Sequence, residues 1–278
     1  MKGLIQRGIT ALFFIVVMMG GLFGGHYSFV SLFAIIAGLC LWEFYTLMLP
    51  KPARVHRFIG VLLGLIPFTL TSLIQLKLVA DTRLFLAAGA LLFFPFFFLA
   101  FIYELFQKSE QPFVRIAILV LGVIYIGVPF SMVDLVAFSS GTFQAGTIFG
   151  LLLLTWSNDT MAYLVGSRFG KTHLLPRISP KKTWEGSIGG AVGTLLLAFL
   201  LGNWIPLYHW VDWPVLALIV VVFGSIGDLV ESMLKRSLGV KDSGKLLPGH
   251  GGLLDRFDAF IFLMPFASAY ILIARAWH

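Results

Sequence analysis

Long apolar segments constrain the fold of this chain more than any other feature of its sequence. About nine of them approach the length of roughly 20 residues that crosses a bilayer as a helix. They cover residues 9–23, 27–49, 58–76, 84–106, 113–133, 145–165, 187–201, 214–234 and 259–276. The chain is 59% hydrophobic and only 12% charged, which excludes a water-soluble domain. The sequence therefore predicts an all-α, polytopic integral membrane protein with about nine transmembrane helices.

Lysine and arginine predict the orientation of these helices. With the N-terminus in the cytoplasm, every Lys and Arg lies on the inner side except Lys77, Arg83 and Arg275. This positive-inside bias predicts an N-terminus in the cytoplasm and a C-terminus outside. Lys2 and Arg7 before the first segment also fit a signal peptide, but no small-residue cleavage site follows them, so we expect a retained helix.

The two parts of the chain differ in their polar residues. Residues 1–141 form apolar spans joined by short loops, without a chemical motif. Residues 142–278 contain almost every unusual polar residue, and they include two polar stretches at 166–186 and 235–258. We therefore expect the site of chemistry in the second part, on its cytoplasmic loops and helix ends.

Carboxylates in or beside the predicted spans are concentrated in this second part. They are Asp159, Asp228, Glu231, Asp255 and Asp258. The charge-derived orientation places all of them towards the cytoplasmic face. Four of them form two pairs at a spacing of three residues, so each pair shares one helix face. Carboxylates that gather away from water repel one another unless a cation holds them, and hard oxygen ligands suit Mg²⁺. This pattern predicts a magnesium site.

A simpler interpretation exists for each acid taken singly. Asp255 and Asp258 also fit acids at a helix entry, where the helix dipole favours a negative charge. Asp228 also fits an ion pair with Lys235 or Arg236. These alternatives do not readily explain why all the acids occur together.

Cations and a glycine-rich loop accompany the acids. Lys181 and Lys182 precede a span for which Thr183 and Ser187 are candidate caps, an arrangement that fits a phosphate cradle and a topology signal equally well. Arg168, Lys171 and Lys182 fit contacts with phosphate or with anionic lipid headgroups. His250 lies in the loop Pro-Gly-His-Gly-Gly at 248–252, where it suits proton transfer, phosphate binding or a hydrogen bond to a base.

Three further acids have weaker signals. Glu43 lies near the inner end of the second span, where it fits either the site or an ion pair with Lys51 or Arg54. Asp134 and Asp212 fall at predicted outer loops, and we expect them to be solvated.

Three motifs in the second part resemble those of the phosphatidate cytidylyltransferase family, also called CDP-diglyceride synthases. The family signature is matched at Ser232, Lys235, Arg236, Lys241, Asp242, 248–252, Asp255, Arg256 and Asp258. Two upstream motifs match at 159–166 (Asp-x-x-Ala-Tyr-x-x-Gly) and at 179–186 (Ser-Pro-Lys-Lys-Thr-x-Glu-Gly). The matches extend from about residue 156 to 258, whereas the first part agrees only in hydropathy.

The resemblance implies a reaction and its participants. CTP and phosphatidate would give CDP-diacylglycerol and pyrophosphate, for phospholipid biosynthesis, with one or two Mg²⁺ ions as cofactor. The implied location is a bacterial inner membrane with the active site facing the cytoplasm. The implied partners are the two substrates and membrane lipid in a homodimer, with no role for nucleic acid.

The resemblance also implies roles for individual residues. Asp228 and Asp255 would be the leading metal ligands, followed by Glu231, Asp258 and Asp159. Catalytic roles would fall to Asp228, Asp255, Lys235, Arg236 and His250. Substrate binding would fall to Ser179, Lys181, Lys182, Lys241, Asp242, Arg256 and Arg168.

Two other functions are compatible with intramembrane acids. A cation- or proton-coupled transporter would use them to bind and move its ion, but it would need acids near the bilayer midplane and access from both faces. In another CTP-using lipid enzyme, such as a polyprenol kinase, the acceptor lipid would attack the γ-phosphate instead.

Overall fold

The computed structural model describes residues 2–50, 53–205, 209–247, 249 and 251–277, and the side chains of residues 8–276 within those ranges. Helices account for most of these residues. They are α1 (Lys2–Phe23), α2 (His26–Met48), α3 (Arg54–Gln75), α4 (Thr82–Leu105), α5 (Pro112–Gly122), α6 (Val128–Ala137), α7 (Ala145–Phe169), α8 (Trp184–Trp204), α9 (Asp212–Ile219), α10 (Ser225–Ser237) and α11 (Leu254–Trp277). Two π-helical turns, Val123–Gly127 and Val220–Gly224, connect α5 to α6 and α9 to α10. Strands β1 (His173–Leu175) and β2 (Ser179–Thr183) pair antiparallel between α7 and α8.

Eight helical stretches of the described chain are long and apolar enough to cross a membrane. They are His26–Met48, Arg54–Gln75, Thr82–Leu105, Pro112–Ala137, Ala145–Phe169, Trp184–Trp204, Asp212–Ser237 and Leu254–Ala276. Helix α1 adds the shorter apolar stretch Gly8–Phe23. Each predicted segment coincides with one of these stretches to within about five residues. Long apolar segments form helices in lipid because a helix pairs its own backbone N–H and C=O groups. The prediction of an all-α polytopic membrane protein is confirmed.

The chain divides into two compact units. The first unit comprises Met1–Leu135 and Asp242–Asp255, and the second comprises Val136–Lys241 and Arg256–His278. The sequence placed a division after residue 141. The structure additionally groups the segment Asp242–Asp255 with the N-terminal helices.

Tyr45 of α2 organises the packing of the first unit. Its side chain is fully buried, and its hydroxyl donates a hydrogen bond to the carbonyl oxygen of Leu119 in α5 at 2.8 Å. A side chain at Gly60 or Gly122 would overlap the Tyr45 ring, so glycine at both positions lets α3 and α5 approach α2. This close packing fixes α2, which positions Glu43 two residues earlier.

A row of glycines organises the packing of the second unit. Gly186, Gly189, Gly190 and Gly193 lie on one side of α8, where a side chain would overlap α7. Small residues at such spacing let two membrane helices come together closely without a hydrophobic driving force. The pair formed by α7 and α8 therefore presents Asp159 and the β2 strand from one rigid support.

Two acids that were predicted to be solvated are buried, so this prediction is wrong. Asp134 is completely buried in α6, where its Oδ2 accepts a hydrogen bond from the hydroxyl of Ser72. Asp212 is 2% exposed, and its carboxylate accepts bonds from the backbone N–H of His209 at 2.6 Å and the hydroxyl of Tyr270 at 2.7 Å. Hydropathy locates the end of a span but does not show whether a side chain there turns inward. A carboxylate deprived of water then needs such donors.

Candidate functional site

Four of the predicted acids come together in the second unit. Asp159 lies in α7, Asp228 and Glu231 lie one turn apart in α10, and Asp258 lies near the start of α11. The carboxylate of Asp258 lies within electrostatic reach of the other three. Gly227 allows this arrangement, because a side chain there would overlap α11.

Lys182 forms an ion pair with Asp228 in this group, with Nζ 2.5 Å from Oδ2. The side chains are 29% and 31% exposed, so the pair remains accessible. The Ser232 hydroxyl donates to the other carboxylate oxygen, Oδ1, at 3.2 Å. Both oxygens of Asp228 therefore face donors on side chains, which can move away when a ligand binds.

The hairpin and the start of α8 hold Lys182 in place. Thr183 caps α8, since its Oγ1 accepts a hydrogen bond from the backbone N–H of Gly186 at 3.2 Å. The other candidate, Ser187, instead donates its hydroxyl to the Thr183 carbonyl oxygen at 3.2 Å. Glu185 accepts bonds from the backbone N–H groups of residues 171 and 172, which ties the hairpin to the same turn. Lys182 is thus one residue ahead of a capped helix N-terminus, where anions bind favourably.

Glu231 and Lys235 form a second ion pair within α10, four residues apart. The Glu231 side chain is completely buried, and that of Lys235 is 12% exposed. Losing one partner would leave a buried charge unpaired, which is strongly destabilising. This pair therefore holds Glu231 in place at the buried side of the acidic group.

Asp159 lies at the edge of the group and is exposed on the protein surface. Two cations, Lys182 and Arg256, act on it electrostatically. The preceding residue, Asn158, is buried and donates a hydrogen bond from Nδ2 to Ser225 Oγ at 3.3 Å, which links α7 to α10. Asp159 therefore marks an open side of the acidic group.

The chemistry of these residues fits a hard divalent cation. Among the described residues, no group of three or more His, Cys, Asp or Glu side chains is arranged to hold a metal ion. Mg²⁺ does not require such a cage, because it keeps several waters and is commonly bound by one or two carboxylates together with substrate phosphates. Asp228 and Asp258 are both partly exposed, and carboxylate oxygens are among the ligands that Mg²⁺ takes in proteins.

Asp255 belongs to the first unit, where its carboxylate binds backbone donors. Its Oδ2 accepts hydrogen bonds from the N–H of Ser243 at 2.9 Å and from the N–H of Gly252 at 2.7 Å. Glu43 binds the same segment, since its Oε2 accepts from the Ser243 hydroxyl at 3.2 Å and from the Leu254 N–H at 2.8 Å. The prediction that Asp255 and Asp228 share an ion stays a prediction.

The other predicted substrate-binding residues lie mainly on the surface. Arg168 is exposed in the last turn of α7, Ser179 is half-buried in β2, and the exposed residues also include Lys181, Arg236, Lys241, Asp242 and Arg256. The guanidinium of Arg236 donates to the carbonyl oxygen of Val240 at 3.3 Å, just after α10. His250 lies outside the described residues.

Sequence reasoning missed two features around these groups. Ser243 has no motif that sets it apart from other loop serines, yet it is buried and binds two carboxylates. In the first unit, His56 Nε2 lies 2.5 Å from Glu104 Oε1, and both side chains are buried. His56 lies near the start of α3 and Glu104 near the end of α4. The only sequence signal for their contact was the presence of a histidine and an acid at the ends of two neighbouring apolar segments.

Comparison with known proteins identifies the family. A model of the family described as the cytidylyltransferase family matches residues 5–274. The chain belongs to the cytidylyltransferase family. The match includes the N-terminal helices, in which the sequence motifs were absent.

Three bacterial relatives in this family carry the name phosphatidate cytidylyltransferase. The protein from Bacillus subtilis is 43% identical over 174 residues, which are 62% of this chain and 63% of the relative. One from Staphylococcus epidermidis is 37% identical over 177 residues, and one from Staphylococcus aureus is 39% identical over 179 residues; each alignment covers 63% of this chain and 66% of the relative. The matched stretch thus spans less than two thirds of the length of these relatives.

Proposed function

We propose that this protein transfers the cytidylyl group of CTP to phosphatidate, which gives CDP-diacylglycerol and pyrophosphate. The observation that carries the proposal is the accessible ion pair of Lys182 and Asp228 inside a group of four carboxylates, in a chain of the cytidylyltransferase family. The names of the bacterial relatives support the choice of phosphatidate as acceptor.

The reaction needs positioning and charge neutralisation more than covalent help from the protein. An oxygen of the phosphatidate phosphate attacks the α-phosphorus of CTP, a new P–O bond forms, and the bond between the α-phosphorus and the bridging oxygen breaks. Pyrophosphate leaves with that electron pair. Two polyanions must approach each other in line, so the protein has to offset their repulsion and hold their geometry.

The cations of the second unit are the proposed phosphate contacts. Lys182 is already held beside the start of α8, and Arg256 acts on the same acidic group. A bound phosphate would compete with Asp228 for the Lys182 ammonium. The remaining proposed phosphate ligands are Lys181, Lys235, Arg236, Lys241 and Arg168, and Ser179 and Asp242 are further proposed substrate-binding residues.

Mg²⁺ is the proposed cofactor, as one or two ions. The residues proposed to hold it are Asp228 and Asp255, with Glu231, Asp258 and Asp159 as further ligands or hydrogen-bond partners. When bound, the metal would neutralise the charge of the reacting phosphates. His250 keeps its proposed catalytic role in the loop at 248–252.

We further propose that the site faces the cytoplasm of a bacterial inner membrane, with the N-terminus inside and the C-terminus outside. The distribution of Lys and Arg supports this orientation. CTP would arrive from the cytoplasm, and phosphatidate would enter sideways from the inner leaflet with its acyl chains in hydrocarbon. A homodimer is proposed on the family resemblance alone.

Label transfer tests the reaction directly. Purified protein in detergent is incubated with phosphatidate, Mg²⁺ and CTP labelled at the α-phosphate or, in a parallel reaction, at the γ-phosphate, and the lipid is extracted. The proposal expects α-label in the lipid and γ-label only in pyrophosphate. Label that enters lipid only from the γ-phosphate would overturn the proposal in favour of a CTP-dependent lipid kinase. No transfer from either position would also overturn it.

A further inference from the structure

Glu43 is a buried carboxylate of α2 that binds a segment about 200 residues later in the chain. Glu43 is only 8% exposed. One of its oxygens, Oε2, accepts hydrogen bonds from the Ser243 hydroxyl at 3.2 Å and the Leu254 N–H at 2.8 Å. Because Ser243 and Leu254 stand at the two ends of residues 243–254, Glu43 holds both ends of this segment together.

Asp255 closes the same segment from its own end. Its carboxylate binds the backbone N–H of Ser243, at 2.9 Å from Oδ2 and 3.1 Å from Oδ1, and the N–H of Gly252 at 2.7 Å. Ser243 is therefore bound twice, by its hydroxyl to Glu43 and by its backbone to Asp255. The position of the Asp255 carboxylate thus depends on Glu43 through Ser243 and the start of α11.

The glycines of the segment fit around these two carboxylates. A side chain at Gly244 would overlap the Glu43 carboxylate, and one at Gly252 would overlap both Glu43 and Ser243. Gly251 has a φ of +84°, a conformation that L-residues rarely adopt, and a side chain there would press on Asp255 Oδ2. The close approach of carboxylate and backbone is therefore built into the sequence of the segment.

Helix capping alone does not account for Glu43. An acid that served only the start of α11 would need only the Leu254 N–H, a role that a local Ser, Thr or Asp usually fills. Glu43 instead comes from a distant helix, and it also binds Ser243. A buried carboxylate costs free energy of folding unless it is well paired. Capping one helix would not require burying a charged side chain from a distant helix.

We infer that Glu43 is a positioning residue, which holds Ser243 and Leu254 together so that the carboxylate of Asp255 keeps a fixed geometry. The inference rests on the proposed function, because that function places Asp255 at the reacting phosphates. Glu43 itself acts through Ser243 and Leu254 and not on the substrate.

The experiment compares Glu43→Ala, Glu43→Gln and Glu43→Asp with wild type in the full-length protein. Trypsin cleavage after the exposed Lys245 is followed by mass spectrometry under native conditions, as a measure of how often the segment opens. Initial rates are measured in parallel against CTP and phosphatidate. The matched control is Glu104→Gln, which alters another buried carboxylate of the first unit that binds His56.

The inference expects Glu43→Ala to speed cleavage after Lys245 about tenfold and to lower kcat more than it raises KM for CTP. Glu43→Gln keeps an oxygen that can accept from the same donors, so it should restore most of the protection and of kcat. Glu104→Gln should leave cleavage after Lys245 unchanged.

Wild-type cleavage and wild-type kcat in Glu43→Ala would overturn the inference, as would equal acceleration in Glu104→Gln. If Glu43→Ala does not fold, Glu43→Asp and Glu43→Gln are compared instead. The shorter side chain of Glu43→Asp withdraws the carboxylate from its donors. Wild-type protection of Lys245 in Glu43→Asp would therefore count against the inference. Failure of the proposed function is recognised separately, since wild type would then transfer no cytidylyl group while the cleavage comparison still reports on the segment.

Discussion

Two pairs of carboxylates, one pair in each unit, bind different kinds of partner. In the first unit, Glu43 and Asp255 bind mainly backbone N–H groups. In the second unit, Asp228 and Glu231 bind lysine side chains. Both sets are drawn from the same residue types at the ends of membrane helices, so the difference lies in the partner.

The type of partner determines how easily a carboxylate can be released from its contact. A backbone N–H cannot move away without opening the loop or helix that contains it, so an acid bound to it holds a conformation. A lysine side chain is flexible and exchanges partners readily. Asp228, whose ion pair with Lys182 is accessible, is therefore suited to exchange the lysine for a metal ion or to release it to a phosphate, whereas Glu43 and Asp255 are suited to hold a loop.

Asp228→Asn should have the largest effect and should leave the first unit intact. Removing the charge takes away a proposed metal ligand, and the loss of one preorganised electrostatic group at a reacting phosphate costs about 10²–10³ in kcat. Cytidylyl transfer is measured on protein that elutes as a folded species in detergent, together with trypsin cleavage after Lys245. Turnover at the wild-type level would remove Asp228 from the site.

Asp255→Asn should also lower kcat strongly, by up to about 10²–10³, with an additional effect that Asp228→Asn lacks. Hydrogen bonds to a charged acceptor are about twice as strong as those between neutral groups, so the segment at 243–252 should open more often. Faster cleavage after Lys245 together with strongly lowered turnover is the expected result. Full turnover in a folded Asp255→Asn protein would exclude it as a metal ligand.

Lys182→Ala should have a smaller effect, on substrate binding. One charge-assisted contact with a phosphate is worth about 1.5–3 kcal/mol, so KM for CTP or phosphatidate should rise about tenfold or more. Arg177→Ala is the control, because Arg177 is an exposed cation of the same polar stretch and has no proposed role in the site. If Lys182→Ala has the kinetics of wild type, Lys182 serves only as a topology signal.

Ser72→Ala should affect stability and leave activity unchanged. It removes the hydroxyl that donates to the fully buried Asp134, and an unsatisfied buried polar group costs about 1–3 kcal/mol. Thermal unfolding in detergent should show a lower Tm, which Asp134→Asn in the same background should partly restore. An unchanged Tm would mean that Asp134 finds another donor.

The sequence predicts the helices well because hydropathy is sufficient for that purpose. The predicted segments match the observed spans, and the Thr183 cap follows from its position before a span. The gathering of Asp159, Asp228, Glu231 and Asp258 also follows from charge asymmetry, which placed these residues at one face.

Side-chain partners are less predictable than helices. Glu43 was assigned either to the site or to a nearby arginine or lysine, but it binds Ser243 and Leu254, which are far away in sequence. Asp134 and Asp212 turn inward because Ser72 and Tyr270 offer them hydroxyl groups. Such pairings depend on the packing of distant helices, and no local pattern encodes them.

Metal binding tests the central claim most directly, namely that the carboxylates of the second unit hold a divalent cation beside CTP. Mn²⁺ is used in place of Mg²⁺, and its binding is measured by electron paramagnetic resonance with CTP present, in wild type, Asp228→Asn and Glu104→Gln. The account predicts saturable binding in wild type and Glu104→Gln, and at least about tenfold weaker binding in Asp228→Asn. Equal Mn²⁺ affinity in folded Asp228→Asn and wild type would contradict it.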